Sequence, residues 1–275
     1  MFSRGTSNGQ GNAAPVNGRG RNLKLTLIIG LVMAGFSMMK YFSNEQVNPI
    51  TGVTQHVSIS PEQEVALGLQ SAAQMIQLHG GVHPDLRAQE FVKSVGQKLV
   101  KSTVVNKSEY KYNFHLLADP NVINAFALPG GQVFITQALF SKLKNEDQLA
   151  GILGHEIGHV VNRHGAERIA KMELTQGLTS AAVIAAGDYN SAQFAQMVGN
   201  LINMKYGREQ ELASDDFGVR LMVEAGYDPK ALIDVMDILE AASGGQRQPE
   251  FQSTHPSPEN RREKILESMY KYQTK

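Results

Sequence analysis

The segment His155-Glu156-Ile157-Gly158-His159 has the residue types and spacing for metal-assisted hydrolysis. Two histidines four apart fall on one face of a helix, so both imidazoles can reach a single ion. Glu156 projects to the side of that pair. A carboxylate there serves as general base toward an attacking water rather than as a ligand. A chain of this composition carries the five-residue pattern by chance about once in 70 cases. The rest of the chain must therefore supply a helix and a third ligand.

One extension of the motif, H-E-x-x-H-x-x-G-x-x-H, is excluded, because its Gly and last His positions are Asn162 and Gly165. His164 is one residue off and reads as the C-terminal residue of the metal helix. The other common solution is a carboxylate from a later helix, giving two His, one Glu and an open fourth position. The segment from Tyr206 to Asp216 offers Glu209 and Glu211, and spacing alone does not choose between them. Asp215 lies one turn beyond Glu211, where a carboxylate can orient a ligating His through its free N–H. The plain alternative for this acidic run is a solvated helix face. His255, followed by Pro256, reads on its own as a loop histidine.

Composition narrows the chemistry. Net charge is zero and charged residues are 19% of the chain, so nothing points to a nucleic-acid partner. The chain has no cysteine. Disulfides, thiol nucleophiles and cysteine-type zinc sites are excluded, and any metal must be held by His and carboxylate.

The elements that must position these residues begin after a separate N-terminal object. Residues 1–22, rich in Gly, Asn and Ser with Arg4, Arg19 and Arg21, are expected to be a disordered basic segment. Residues 25–39 run without a charge between Lys24 and Lys40. With those lysines snorkelling, residues 23–42 reach spanning length. No small-residue cleavage site follows, which favours a retained transmembrane signal anchor over a cleaved signal, with a buried helix as the third reading. The basic flank before it predicts a cytoplasmic N-terminus and an extracytoplasmic remainder, periplasmic if the source is a Gram-negative bacterium. Residues 43–59 read as a linker, and residues 60–275 as the catalytic domain.

Within that domain, Ser60-Pro61-Glu62-Gln63 is a helix start, and the helix should run to Leu78. A second helix opens at Pro84 and runs to Lys101, with Leu86, Phe91, Val92, Val95 and Leu99 as its apolar stripe. Residues 112–117 and 132–135 read as strands around the apolar residues 124–128 and the turn Pro129-Gly130-Gly131. Beyond Thr136 the pattern is helical. Asn145 caps the metal helix, whose first turn carries Glu146 and Asp147 and whose end falls near His164-Gly165. Met172, Met197, Met204, Met222 and Met236 read as core or groove fillers. The fold class expected is mainly α with a small antiparallel β-sheet (α+β).

Four segments, taken in order, resemble the zinc metalloendopeptidases that include the CAAX prenyl protease, the heat-shock protease HtpX and the Oma-type mitochondrial protease. They are residues 124–131, the metal helix through His164, Arg208-Glu209-Gln210-Glu211 through Asp215, and Ser253-Thr254-His255-Pro256 with Arg261. The resemblance spans residues 60–272. One departure is Ala213-Ser214, where the family more usually has Glu-Ala before the aspartate.

The resemblance implies a zincin-like (gluzincin) domain of the single-anchor type with one Zn2+ per subunit. It selects His155, His159 and Glu211 as metal ligands, Glu156 as base and Asp215 as the residue behind a ligand. It brings His255 near the metal, either to stabilise an oxyanion or to occupy the fourth position and silence the enzyme. Asn124, Ala125, Phe126 and Ala127 are expected in an edge strand that pairs with an extended substrate, a role compatible with a core strand. Arg261 is read as an anchor of the His255 segment, a substrate contact or, equally, a surface helix charge. The implied activity is hydrolysis of peptide bonds in misfolded or membrane-associated proteins, as in cell-envelope quality control. The alternatives are a membrane-anchored zinc-containing chaperone with a latent, His-gated site, and a non-proteolytic zinc hydrolase. Polypeptides and membrane lipid are the expected partners.

Overall fold

The structure, a computed structural model, describes residues 23–186, 206–242 and 250–273. The basic segment 1–22 and the residues Met197 and Met204 lie outside the described residues. Helix α1 (Leu23–Ser43) contains the stretch Lys24–Ser43, long and apolar enough to cross a membrane. The short strands β1 (Glu45–Val47) and β2 (Thr54–His56) follow, then α2 (Pro61–Leu78) and α3 (Leu86–Lys101). Strands β3 (Asn113–Leu117), β4 (Ala125–Leu128) and β5 (Gln132–Thr136) lead into the short α4 (Gln137–Phe140). Helices α5 (Glu146–Val161), α6 (His164–Ala186), α7 (Arg208–Glu224), α8 (Ala231–Ala242), α9 (Glu250–Thr254) and α10 (Arg261–Gln273) complete the described chain.

The mainly helical class with a small sheet is observed. Ser60 caps α2, with Gln63 answering in a capping box. Asp85 caps α3, one residue after Pro84. On α3 the buried stripe is Val92, Val95, Gly96 and Leu99, while Leu86 and Phe91 are exposed. Leu86 lies on the opposite side of the helix from that stripe, while Phe91, one turn before Val95, stands at the edge of the stripe with its ring edge-on to Phe140. The sheet order is β3-β5-β4. Strand β4 pairs antiparallel with β5 across the Pro129-Gly130-Gly131 turn, as expected. Strand β3 pairs parallel to β5, so the sheet is mixed rather than wholly antiparallel. The chain crosses between β3 and β4 before the hairpin forms, which leaves β5 in the middle. Strand alternation carries no record of that crossing.

Helix α5 is the centre of the core. Every residue from Gln148 to Val161 is buried, among α3, the sheet, α7 and α8. A helix buried all round must satisfy its last carbonyls from neighbours. Asn48 donates to Val161 O at 2.7 Å, and the Gln55 amide donates to Asn162 O. Residues 43–59 are therefore not a bare linker: β1 and β2 form a hairpin that caps α5. Helix α5 also stops earlier than its pattern suggests. Arg163 adopts φ 54, and a new helix starts at His164. Arg163 is held there by Glu64 at 3.2 Å, Ile59 O at 2.7 Å and Gln46 at 3.2 Å.

Candidate metal centre

Asn145 caps α5 by accepting the Gln148 N–H at 2.9 Å, and Glu146 and Asp147 complement the helix dipole. The motif lies in the middle of this helix, where the backbone is rigid. Helix α7 crosses it at close range because Gly158 has no side chain. A Cβ at Gly158 would sit 2.8 Å from Ser214 O. This approach lays Glu211, one turn before Asp215, over the two histidines.

His155 Nε2 and His159 Nε2 are 3.1 Å apart. Glu211 presents Oε2 at 3.5 Å from His155 Nε2 and Oε1 at 3.4 Å from His159 Nε2. His255 completes the group, with Nδ1 at 3.0 Å from Glu211 Oε1 and 3.3 Å from His155 Nε2. One donor atom from each of the four lies within 4.8 Å of the others. All four side chains are buried. Glu209, the other carboxylate that spacing allowed, is exposed on the far side of α7.

The residues fit a metal ion. Among the described residues, Glu211 Oε2, both Glu156 oxygens and His255 Nε2 are buried and find no hydrogen-bond partner, an arrangement that is costly unless something charged completes it. His155 uses Nδ1–H to donate to Asp215 Oδ1 at 2.8 Å, which leaves its Nε2 lone pair facing the cluster. Glu156 lies beside the ligands, its Oε1 3.7 Å from His255 Nε2. Burial pushes the Glu156 carboxyl above its ordinary range, the direction that makes a stronger base. Burial alone would also raise Glu211, but the surrounding histidines hold it well below the ordinary range. His155 is likewise held above its usual value, because the Asp215 hydrogen bond and charge outweigh burial.

Asp215 stands behind His155, on the ring nitrogen that faces away from the cluster. Arg261 does not stand where a substrate contact would. It is 3% exposed, and its Nε and Nη2 donate to Asp215 Oδ2 and Oδ1 at 2.6 and 2.9 Å. Its Nη2 is also 3.6 Å from Glu211 Oε2. This corrects the substrate-contact reading of Arg261: the guanidinium is needed between two buried carboxylates.

Strand β4 is at the sheet edge beside the cluster. Thr136 N–H donates to Asn124 O, so the alternation of the ladder turns the backbone groups of Ala125 and Ala127 outward. The Ala125 side chain points into the core, while Asn124, Phe126 and Ala127 line an apolar cleft with Met75, Tyr206 and His255.

Two residues escaped the sequence reading. His164 opens α6 instead of ending α5, and its Nδ1 meets His159 Nδ1 at 2.9 Å and Ser214 Oγ at 3.3 Å. Burial pushes its pKa down to about 3, so it is a neutral acceptor for the His159 ring. Tyr206 lies against His159 with centroids 3.7 Å apart and the rings tilted by 30°, and the Arg168 guanidinium lies 3.8 Å from the centroid of the Tyr206 ring. The one-residue offset of His164 hid its role. Nothing in the spacing of Tyr206 marked it.

Comparison with known proteins gives the same direction. The model for peptidase family M48 matches residues 86–269. The chain is similar to the mitochondrial metalloendopeptidase OMA1 of Schizosaccharomyces pombe, 30% identical, covering 93% of this chain and 75% of that one. It is 29% identical to the beta-barrel assembly-enhancing protease of Escherichia coli, covering 88% of this chain and 50% of that one. Human OMA1 is 30% identical, covering 88% of this chain and 49% of that one. The chain thus spans about half the length of the bacterial and human relatives.

Proposed function

The chain belongs to peptidase family M48 and is a metallopeptidase, and on that premise we propose a membrane-anchored zinc endopeptidase that cleaves misfolded or membrane-associated proteins. The observation that carries the proposal is the buried convergence of His155, His159 and Glu211 with the buried Glu156 carboxylate beside them. His155 and His159, through Nε2, and the Glu211 carboxylate hold the metal. Two histidines with one carboxylate are a donor set suited to zinc. Bound zinc supplies a Lewis acid that polarises the scissile carbonyl and acidifies water.

The chain's own residues do the rest. An extended substrate pairs with the outward backbone groups of Ala125 and Ala127 on β4. That pairing lays the peptide across the cleft lined by Asn124 and Phe126. Glu156 takes a proton from the attacking water and delivers it to the leaving amine. Asp215 holds His155 in the tautomer that leaves Nε2 free, and Arg261 holds Asp215. Relatives named as a beta-barrel assembly-enhancing protease and as a mitochondrial metalloendopeptidase support an envelope quality-control role. The basic residues before α1 support a cytoplasmic N-terminus and an extracytoplasmic catalytic domain. A reporter that works only outside the cytoplasm, fused after residue 60, tests that orientation.

The test of activity is cleavage of casein by the zinc-loaded full chain in detergent. Glu156→Gln should bind zinc normally and lose about 10²–10⁴ in rate. Equal rates for parent and variant would sink the reading unless the parent is latent. A second reading, a chaperone-like module with a silenced site, is favoured by one observation: His255 sits within the ligand cluster. If His255 occupies the fourth position, His255→Ala raises cleavage. If it stabilises the oxyanion, the same change lowers kcat.

A further inference from the structure

Helix α6 starts at the metal centre and then leaves the catalytic domain along α1. The two helices run in opposite directions and stay in register. Lys40 pairs with Glu173 at 2.8 Å. One turn further along α6 and one turn back along α1, Gly177 packs on Ser37 so closely that a Cβ at 177 would lie 2.2 Å from Ser37 Oγ. Small residues at such a crossing are how helices associate in lipid. Gly30 on α1 and Ala181 on α6 are both buried further along the pair.

The helix that α6 follows is one whose outer surface is suited to lipid. Leu31, Val32 and Phe36 of α1 are 62–65% exposed. Past Glu173, α6 carries no charged residue through Ala186. Its exposed hydroxyls are satisfied within the helix: Thr175 Oγ1 donates to Lys171 O and Thr179 Oγ1 to Thr175 O, each at 2.8 Å. Ser37 Oγ does the same to Met33 O at 2.9 Å. Internal satisfaction of polar groups is the condition a bilayer imposes.

We propose that residues 174–186 of α6 lie in the bilayer beside α1, so that the embedded part of the protein is an antiparallel helix pair rather than one anchor. The segment is about 20 Å long, short of the ~30 Å hydrocarbon core, so this part of α6 enters the membrane without crossing it. The Lys40–Glu173 pair marks the interface. His164, nine residues before Glu173, then stands about 14 Å above it. This rests on the anchored-peptidase reading and deepens it. The substrate class is polypeptide emerging from the membrane, with the scissile bond about four extended residues from the surface.

The test uses the absence of cysteine. Spin labels are attached to single cysteines placed in the full chain at Lys171, Leu178, Thr179, Val32 and Tyr270, and the proteins are reconstituted in liposomes. Collisions with oxygen report lipid, and collisions with a water-soluble nickel chelate report water. Labels at Leu178 and Thr179 should lose nickel collisions and gain oxygen collisions, as at Val32, while Lys171 and Tyr270 keep theirs. If Leu178 and Thr179 behave like Tyr270 while Val32 reads lipid, the proposal is overturned and the anchor stands. If Val32 also reads water, the anchor fails and the proposal with it. Labels at Leu178 and Thr179 shielded from both probes would place that face against protein, a second copy included, and would also overturn it.

Discussion

On the His155 side of the metal centre, the ring N–H meets Asp215, and Asp215 receives both arms of Arg261 from α10. On the His159 side, the ring meets His164, which in turn meets Ser214, and neither partner is ionised. The two ligands share a motif and a helix, yet one is held by a buried ion network and the other by neutral hydrogen bonds. The physical consequence is unequal tolerance. Removing one member of a buried charged set strands the others, whereas a neutral pair loses only its hydrogen bond. The sides also lead to different places: Asp215 ties the site to α10 through Arg261, and His164 ties it to the start of α6.

Four substitutions probe that difference, from the largest expected effect to the smallest. Arg261→Leu leaves Asp215 and Glu211 buried together without the guanidinium between them. It should cost about 3–5 kcal/mol in denaturant unfolding of the chelator-treated protein. A loss under about 1 kcal/mol would erase the contrast. Asp215→Asn keeps the shape but not the charge, and chelator competition should show zinc affinity falling about 10–100-fold. His164→Leu should reach only the lower end, about tenfold in affinity, with an unfolding cost of about 1 kcal/mol. A loss equal to that of Asp215→Asn would make the two sides equivalent.

The smallest effect belongs to Asp216, at the wetter end of the same α7–α10 contact. It accepts from Ser268 at 2.6 Å, Tyr272 at 2.8 Å and Lys271 at 2.9 Å. Burial alone would raise this carboxyl, but those partners hold it below its ordinary value. A depressed folded pKa stabilises above the unfolded value and stops doing so as pH falls through the folded one. Asp216→Asn should therefore cost under about 1 kcal/mol at pH 7 and flatten the decline in Tm below about pH 4. An unchanged acid limb would remove Asp216 from the account.

Much of the frame was legible in the residue pattern because it is local. Caps at Ser60 and Asn145, the turn Pro129-Gly130-Gly131 and the uncharged run after Lys24 each act within a few residues. Readings that depended on chain crossings went astray. The direction of β3, the docking of β1 and β2 onto the end of α5, and the break at Arg163 are set by partners far along the chain. The break at Arg163 is also why His164 was read as a helix end and not as the partner of His159.

By itself the sequence determined that a helix carries two histidines and a carboxylate at ligand spacing, that any metal must be held without cysteine, and that an apolar helix precedes the domain. Resemblance, and not spacing, singled out Glu211. Only the tertiary structure decided what stands behind each ligand and what Arg261 and His255 touch. The reason is distance along the chain. Asp215 is 60 residues from His155, and His255 is 100. Those contacts form only where Gly158 lets α7 come down onto α5. Helical spacing can align side chains within a turn or two, but packing alone brings together groups this far apart.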